Sequence, residues 1–267
     1  MSERFFDQID WSARWFDTVR PYAQQLIAAQ DWRACLNRLA GEMQLQNHLG
    51  LAVQFIPQEE LPEGTAYEAH INATGKVPTR ENLHDFFNAL VWLSFPEIKR
   101  QLNALQAAQI AALGIGKSRG PARDAATIFD ENAALLVVEN SEAGDDLIEA
   151  LRLHQWDSAF VQQRSKFDRC AKVWSFGHAL MEKLVNPYKA ITAHSWVLRV
   201  EPQHFALSRD NSLMQIDQLV SQQLLTHGLT TADYTPLPVL GIPGWWEEQN
   251  PGFYADQSVF RPPRQKK

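Results

Sequence analysis

The stretch PTRENLHDFFNALVWLSFP, residues 78–96, decides how this chain is read. Leu83, Phe86, Phe87, Leu90 and Val91 recur at the spacing of an apolar helical stripe. Glu81, His84, Asp85 and Asn88 fall together on another face, because residues three and four apart are neighbours on a helix. That face is either a loaded site or a solvated back. Thr79 is the expected N-cap. Ser94-Phe95-Pro96-Glu97 then reads as a capping box with proline in the first turn, for a second helix reaching Leu113 and stopping at Gly114.

Upstream, residues 11–46 read as amphipathic helix with a break at Gln30-Asp31, where Asp31 caps the second half. Residues 50–55 and 66–71 read as extended, separated by a Pro/Glu/Gly loop at 57–64. Downstream of a Gly-rich loop at 114–123, residues 125–129 and 134–138 flank Asp130-Glu131-Asn132 as a strand–turn–strand signal. Helices are expected over 142–153, 156–166 and 172–184, a strand over 195–200 and a helix over 212–226. From Pro236 onward proline, glycine and aromatics dominate, so that end should pack irregularly over the body. The expected architecture is helix-rich α+β in a single domain. Its core spans about 30–262 and a flexible basic tail follows at 263–267.

Composition narrows the function classes. The 267 residues are 45% hydrophobic, which suits a globular chain, and include nine Trp and 14 Phe. A net charge of -6 argues against nucleic acid, whose backbone needs a basic surface. No window approaches about 18 consecutive apolar residues, so no membrane partner is expected. The charged start lacks a secretory pattern, and Cys35 and Cys170 lack metal or CxxC spacing, which together imply a cytoplasmic protein with reduced thiols.

No motif names a reaction. Gly114-Ile-Gly-Lys-Ser118 resembles the end of a phosphate loop, but Ala111 stands where glycine is required and a helix precedes it. Several groups could nevertheless converge. His84, Asp85 and Asn88 form one, and Arg119, Arg123 and Asp124 another. The Asp130-Glu131-Asn132 turn is a third, and His178 with Glu182, four apart on a helix, a fourth. Guanidinium groups of Arg80, Arg119 and Arg123 suit phosphate or carboxylate, though Arg123 can equally pair with Asp124 or Asp130. Trp245 and Trp246 could stack on a ring ligand or bury themselves as a lid.

Five segments together resemble one family: PTRENLHDFFNALVWLSFP (78–96), RDAATIFDEN (123–132), NPYKAITAH (186–194), LPVLGIPGWW (237–246) and YADQSVFRP (254–262). The chain from about residue 65 to 262 is similar to the bacterial domain of unknown function 3025. The resemblance implies a cytosolic protein with one whole-length domain, and no activity.

The residues themselves point to a hydrolytic enzyme acting on a small anionic substrate. His84, Asp85, Asn88, Arg123 and Asp124 would be catalytic, with Arg80, Arg119, Trp245 and Trp246 binding substrate. His84, Asp85, His178 and Glu182 would be ligands if a divalent metal assists, and that set suits zinc, manganese or iron. The rival expectation is a non-catalytic ligand- or protein-binding protein whose polar cluster is a structural network.

Overall fold

The computed structural model describes residues 4–114 and 120–263, and it is a helix-rich α+β fold as the sequence implies. Helices α1 (Arg20–Ala28) and α2 (Trp32–Glu42) come first, and the Asp31 carboxylate caps α2 by accepting from Ala34 N at 2.9 Å. Next come β1 (Gln54–Pro57), α3 (Tyr67–Thr74) and β2 (Lys76–Thr79), with β1 and β2 parallel. The expected strand at 50–55 is therefore shifted C-terminally. Residues 66–71, read as extended, instead open α3, whose end is set by Gly75 at φ 73°. Six residues of mixed polarity fit either period, and that ambiguity misled the sequence reading.

Helix α4 (Leu83–Ser94) follows, capped by Asn82 rather than Thr79: Asn82 Oδ1 accepts from Asp85 N at 2.8 Å. Thr79 ends β2 and donates its hydroxyl to Val77 O. Helix α5 (Pro96–Leu113) stops at Gly114 as expected, but the Ser94 capping box does not form. Ser94 belongs to α4 and donates to Leu90 O. The N–H groups of Glu97 and Ile98 donate instead to Asp217, each at 2.9 Å. A carboxylate distant in sequence thus satisfies the orphan donors of a helix start.

Helix α6 (Pro121–Asn132) covers the segment read as strand and turn, and β3 (Ala133–Glu139) follows it directly. Ala125, Ala126 and Phe129 are buried at helical spacing, which decides the matter against reading the run as a strand. Beyond α7 (Glu142–Arg152), a π-helical turn at Ser158–Gln162 and α8 (Arg164–Cys170) replace the expected helix over 156–166. The helix expected over 172–184 is divided between β4 (Ala171–Ser175) and α9 (His178–Lys183). The chain continues through β5 (Thr192–Val200), α10 (Arg209–His227), β6 (Thr235–Pro238) and α11 (Pro251–Tyr254). Phe253, Tyr254 and Phe260 of the aromatic C-terminal stretch are buried in the same apolar cluster as Phe6 and Phe86.

The larger sheet has the order β4-β3-β5-β6, with β3 and β5 parallel and both outer pairings antiparallel. Its topology builds the candidate site. Because β3 and β4 are antiparallel, with Ala134 opposite Ser175, the start of one lies beside the end of the other. The C-terminus of α6 is therefore brought against the N-terminus of α9, and Asp130 against His178. Phe176 N and Gly177 N both donate to Ala133 O and lock this junction.

Gly177 is required for the approach. A Cβ there would sit 2.4 Å from Glu131 O and 2.5 Å from Asn132 N, which are backbone atoms that cannot swing away. Gly177→Ala is expected to lower stability by about 2 kcal/mol through overpacking, measured by urea unfolding. An unchanged unfolding midpoint would show that α9 can move off α6 at no cost.

Candidate functional site

A cavity of about 430 Å³ opens between α3, α4, α6 and α9, within the size range of small-molecule sites. Its lining includes Tyr67, Glu68, Arg80, His84, Asp85, Asn88, Gln106, Arg123, Thr127, Asp130, Glu131 and His178. Ionisable groups crowd it.

On one wall His84 and His178 meet, with their Nε2 atoms 3.1 Å apart and their rings nearly perpendicular. Glu182 lies one turn beyond His178 on α9, and its Oε2 is 2.9 Å from His84 Nδ1. A carboxylate only accepts, so His84 Nδ1 carries a proton. A neutral His84 then presents a bare Nε2, and His178 Nε2 donates to it. If His84 takes up a second proton, the direction reverses and His178 accepts. The two arrangements differ by the proton gained at His84 Nε2 and by the shift of the His178 proton from Nε2 to Nδ1. Burial holds His178 down to about 4, so at neutral pH it is uncharged. Its Nδ1 faces Asp130 Oδ2 at 3.8 Å, beyond hydrogen-bond reach, and has no other partner among the described residues.

Asp130 is tied to a buried lysine. Lys99 Nζ on α5 lies 2.5 Å from Asp130 Oδ1 and 2.8 Å from Asn88 Oδ1, and its side chain is only 5% exposed. Burial alone would raise the Asp130 carboxyl, but the Lys99 ammonium, helped by His178, outweighs it and holds the group below the usual carboxylate range. Asn88 Nδ2 donates onward to the Tyr67 hydroxyl at 3.0 Å. Asp85 is occupied separately: Arg80 donates to it from its backbone N, Nε and Nη2, the last two at 3.0 and 2.9 Å. Arg123, also on the lining, has no carboxylate partner among the described residues, and its Nε is buried without an acceptor.

The sequence-derived residues divide clearly. The fold brings His84, Asp85, Asn88, Arg80, Arg123 and His178 to one cavity, with Glu182 behind His84. Asp124 does not join them. It is exposed on α6, a quarter-turn or so from Arg123 and off the lining. Trp245 and Trp246 line a different cavity of about 470 Å³ with Trp15, where Trp15 and Trp245 pack 6.4 Å apart. Arg119 and the loop residues 115–118 lie outside the described residues, as does the tail from 264.

The set proposed for a metal is not a ligand cluster. Both His84 nitrogens are engaged, by Glu182 and by His178, and both Asp85 oxygens by Arg80. Among the described residues no group of three or more His, Cys, Asp or Glu is arranged to hold a metal ion. The sequence reading also missed Lys99, Tyr67 and Glu68. Lys99 sits at i, i+4 and i+7 with Asn103 and Gln106, a polar stripe that looks solvated in sequence but is buried here.

A family model described as a protein of unknown function (DUF3025) matches residues 53–264, and the chain belongs to that family. No curated protein and no solved structure matches it. Among the described residues no helix is long and apolar enough to cross a membrane.

The buried neutral state of His178 has a pH signature. Between its ordinary value of 6.5 and the folded value of about 4, the unfolded chain takes up a proton that the folded chain refuses. Stability is therefore full above the upper value and falls as the pH drops through this window. The wild type is expected to lose about 3 kcal/mol more than His178→Gln between neutral pH and the lower end, measured by urea unfolding at each pH. Equal losses would mean that His178 protonates as readily in the fold as out of it.

Proposed function

We propose that this DUF3025 member is an enzyme whose cavity takes a small anionic molecule and moves a proton through the His84–His178 pair. One observation carries the reading: two imidazoles in direct Nε2 contact at a cavity wall, with Glu182 fixing the proton on the far side of His84. A carboxylate on Nδ1 orients the ring and fixes its tautomer, which is what an acid–base histidine requires. Arg123 supplies the anion contact, because its guanidinium faces the cavity without a carboxylate partner among the described residues. Hydrolysis of a phosphate or carboxylate derivative is the reaction class this combination serves best. Water would displace the His178 contact at His84 Nε2, which would then take its proton, and Arg123 would hold the charged group of the substrate.

The structural-network reading draws on one feature, the Lys99–Asp130–Asn88 cluster behind the lining. That cluster accounts for three residues and leaves Arg123 and the histidine pair unexplained.

A panel of phosphomonoesters, phosphodiesters, carboxylate-bearing esters and amides, screened with the wild type, tests the proposal. A substrate found in this way should lose roughly 100- to 10,000-fold in kcat with His84→Ala, and should gain mainly in KM with Arg123→Gln. Turnover that survives both substitutions would place the chemistry elsewhere. So would failure of every anion in the panel to shift the His84 ring resonances.

A further inference from the structure

Glu68 sits on α3 in the same cavity, half-buried. Asn103 Nδ2, from α5, donates to its Oε2 at 2.6 Å and to its own backbone carbonyl at 2.9 Å, so the carboxyl is held in place. Oε1 takes no hydrogen bond among the described residues and is open to the cavity. Among the described residues no ion pair joins Glu68 to a cation, although Arg123 shares the lining. Two groups thus border the same space without touching. One is a guanidinium with an orphaned buried Nε, and the other a carboxyl with one oxygen uncommitted.

We infer that Glu68, as a carboxylic acid, and Arg123 together form an oxyanion subsite, so that the anion binds with a proton on Glu68. The inference rests on the anion-binding part of the proposed function and adds proton linkage to it. A carboxyl O–H is a donor and complements an oxyanion, whereas the carboxylate would repel it. The surroundings favour the acid. Burial raises the Glu68 carboxyl above its ordinary value, and Asp130 across the cavity adds to this. The Lys99 ammonium and Arg123 oppose the shift without reversing it, and so does the Asn103 hydrogen bond. The other ionisable groups facing the space are Tyr67 beside Glu68, Asp85 and Arg80, Glu131, and the two histidines. Of these, Asp85 is already neutralised by Arg80 and Asp130 by Lys99.

The test uses sulfate, which does not itself titrate in the range, and the full chain labelled with ¹³C at glutamate carboxyls. Glu68→Gln assigns the resonance and mimics the neutral acid. The Glu68 carboxyl is expected to titrate above the ordinary glutamate value, and sulfate should move its titration further upward. By linkage, sulfate affinity in the wild type falls up to about tenfold per pH unit above that titration, and Glu68→Gln abolishes this slope. Arg123→Gln should weaken sulfate at least about tenfold at every pH. A Glu68 carboxyl that titrates at or below the ordinary glutamate value, with or without sulfate, overturns the inference. Arg123-dependent binding whose pH slope is the same in Glu68→Gln overturns it too, while leaving the proposed function standing. If sulfate perturbs neither Glu68 nor Arg123, both the subsite and the anion reading fail.

Discussion

The Lys99–Asp130 ion pair is the interaction on which the rest of the site depends. It joins α5 to α6 inside the protein, with both side chains nine-tenths buried or more. An isolated charge in that position would be very costly, and the pair is tolerable because each partner is further hydrogen-bonded or flanked by charge. Lys99 also donates to Asn88 of α4, so three helices are fixed by one ammonium group. With Asp130 held as a carboxylate, a permanent negative charge stands 3.8 Å from the ring of His178. That charge favours the imidazolium, yet desolvation dominates and His178 remains neutral until the acid range. The result is a histidine that is uncharged at rest but has a counter-ion in place if a proton reaches it.

Much of the fold was legible because local signals and burial agree there. Asp31 caps α2 and Gly114 ends α5, as their chemistry dictates, and α7, β5 and α10 lie where the periodicity puts them. The misreadings occur where tertiary contacts overrule local preference. The Ser94 box looked sufficient for α5, but Asp217 reaches the same N–H groups from 119 and 120 positions away. The helix expected over 172–184 fails because residues 171–175 complete the sheet beside β3, a pairing invisible to a local window. Residues 125–129 of α6 read as strand in isolation because the apolar residues of that helix are few, and only their shared burial reveals the helical face.

The site was half legible. The helical register of α4 correctly placed His84, Asp85 and Asn88 on one face, and the i, i+4 spacing correctly aligned His178 with Glu182. Spacing could not say that Glu182 would bind His84 instead of joining His178 at a metal, since that depends on how α4 crosses α9. Lys99 and Glu68 carried no signal at all. A charged residue on an amphipathic helix reads as solvated unless the partner that neutralises it or hydrogen-bonds it is known, and here the partners lie 31 and 35 residues away.

The charge balance of the cavity finally bears on what it can hold. Its lining contains Glu68, Asp85, Asp130 and Glu131 against Arg80 and Arg123, a count that taken at face value would repel an anion. The pairings alter that sum. Arg80 cancels Asp85, and Lys99, just behind the lining, cancels Asp130. Burial favours the neutral form of Glu68, and Glu131 is exposed, where solvent screens it. Among the described residues, the charge left unopposed inside is the guanidinium of Arg123. Counting formal charges therefore gives the wrong sign for the ligand, whereas following each charge to its partner selects an oxyanion.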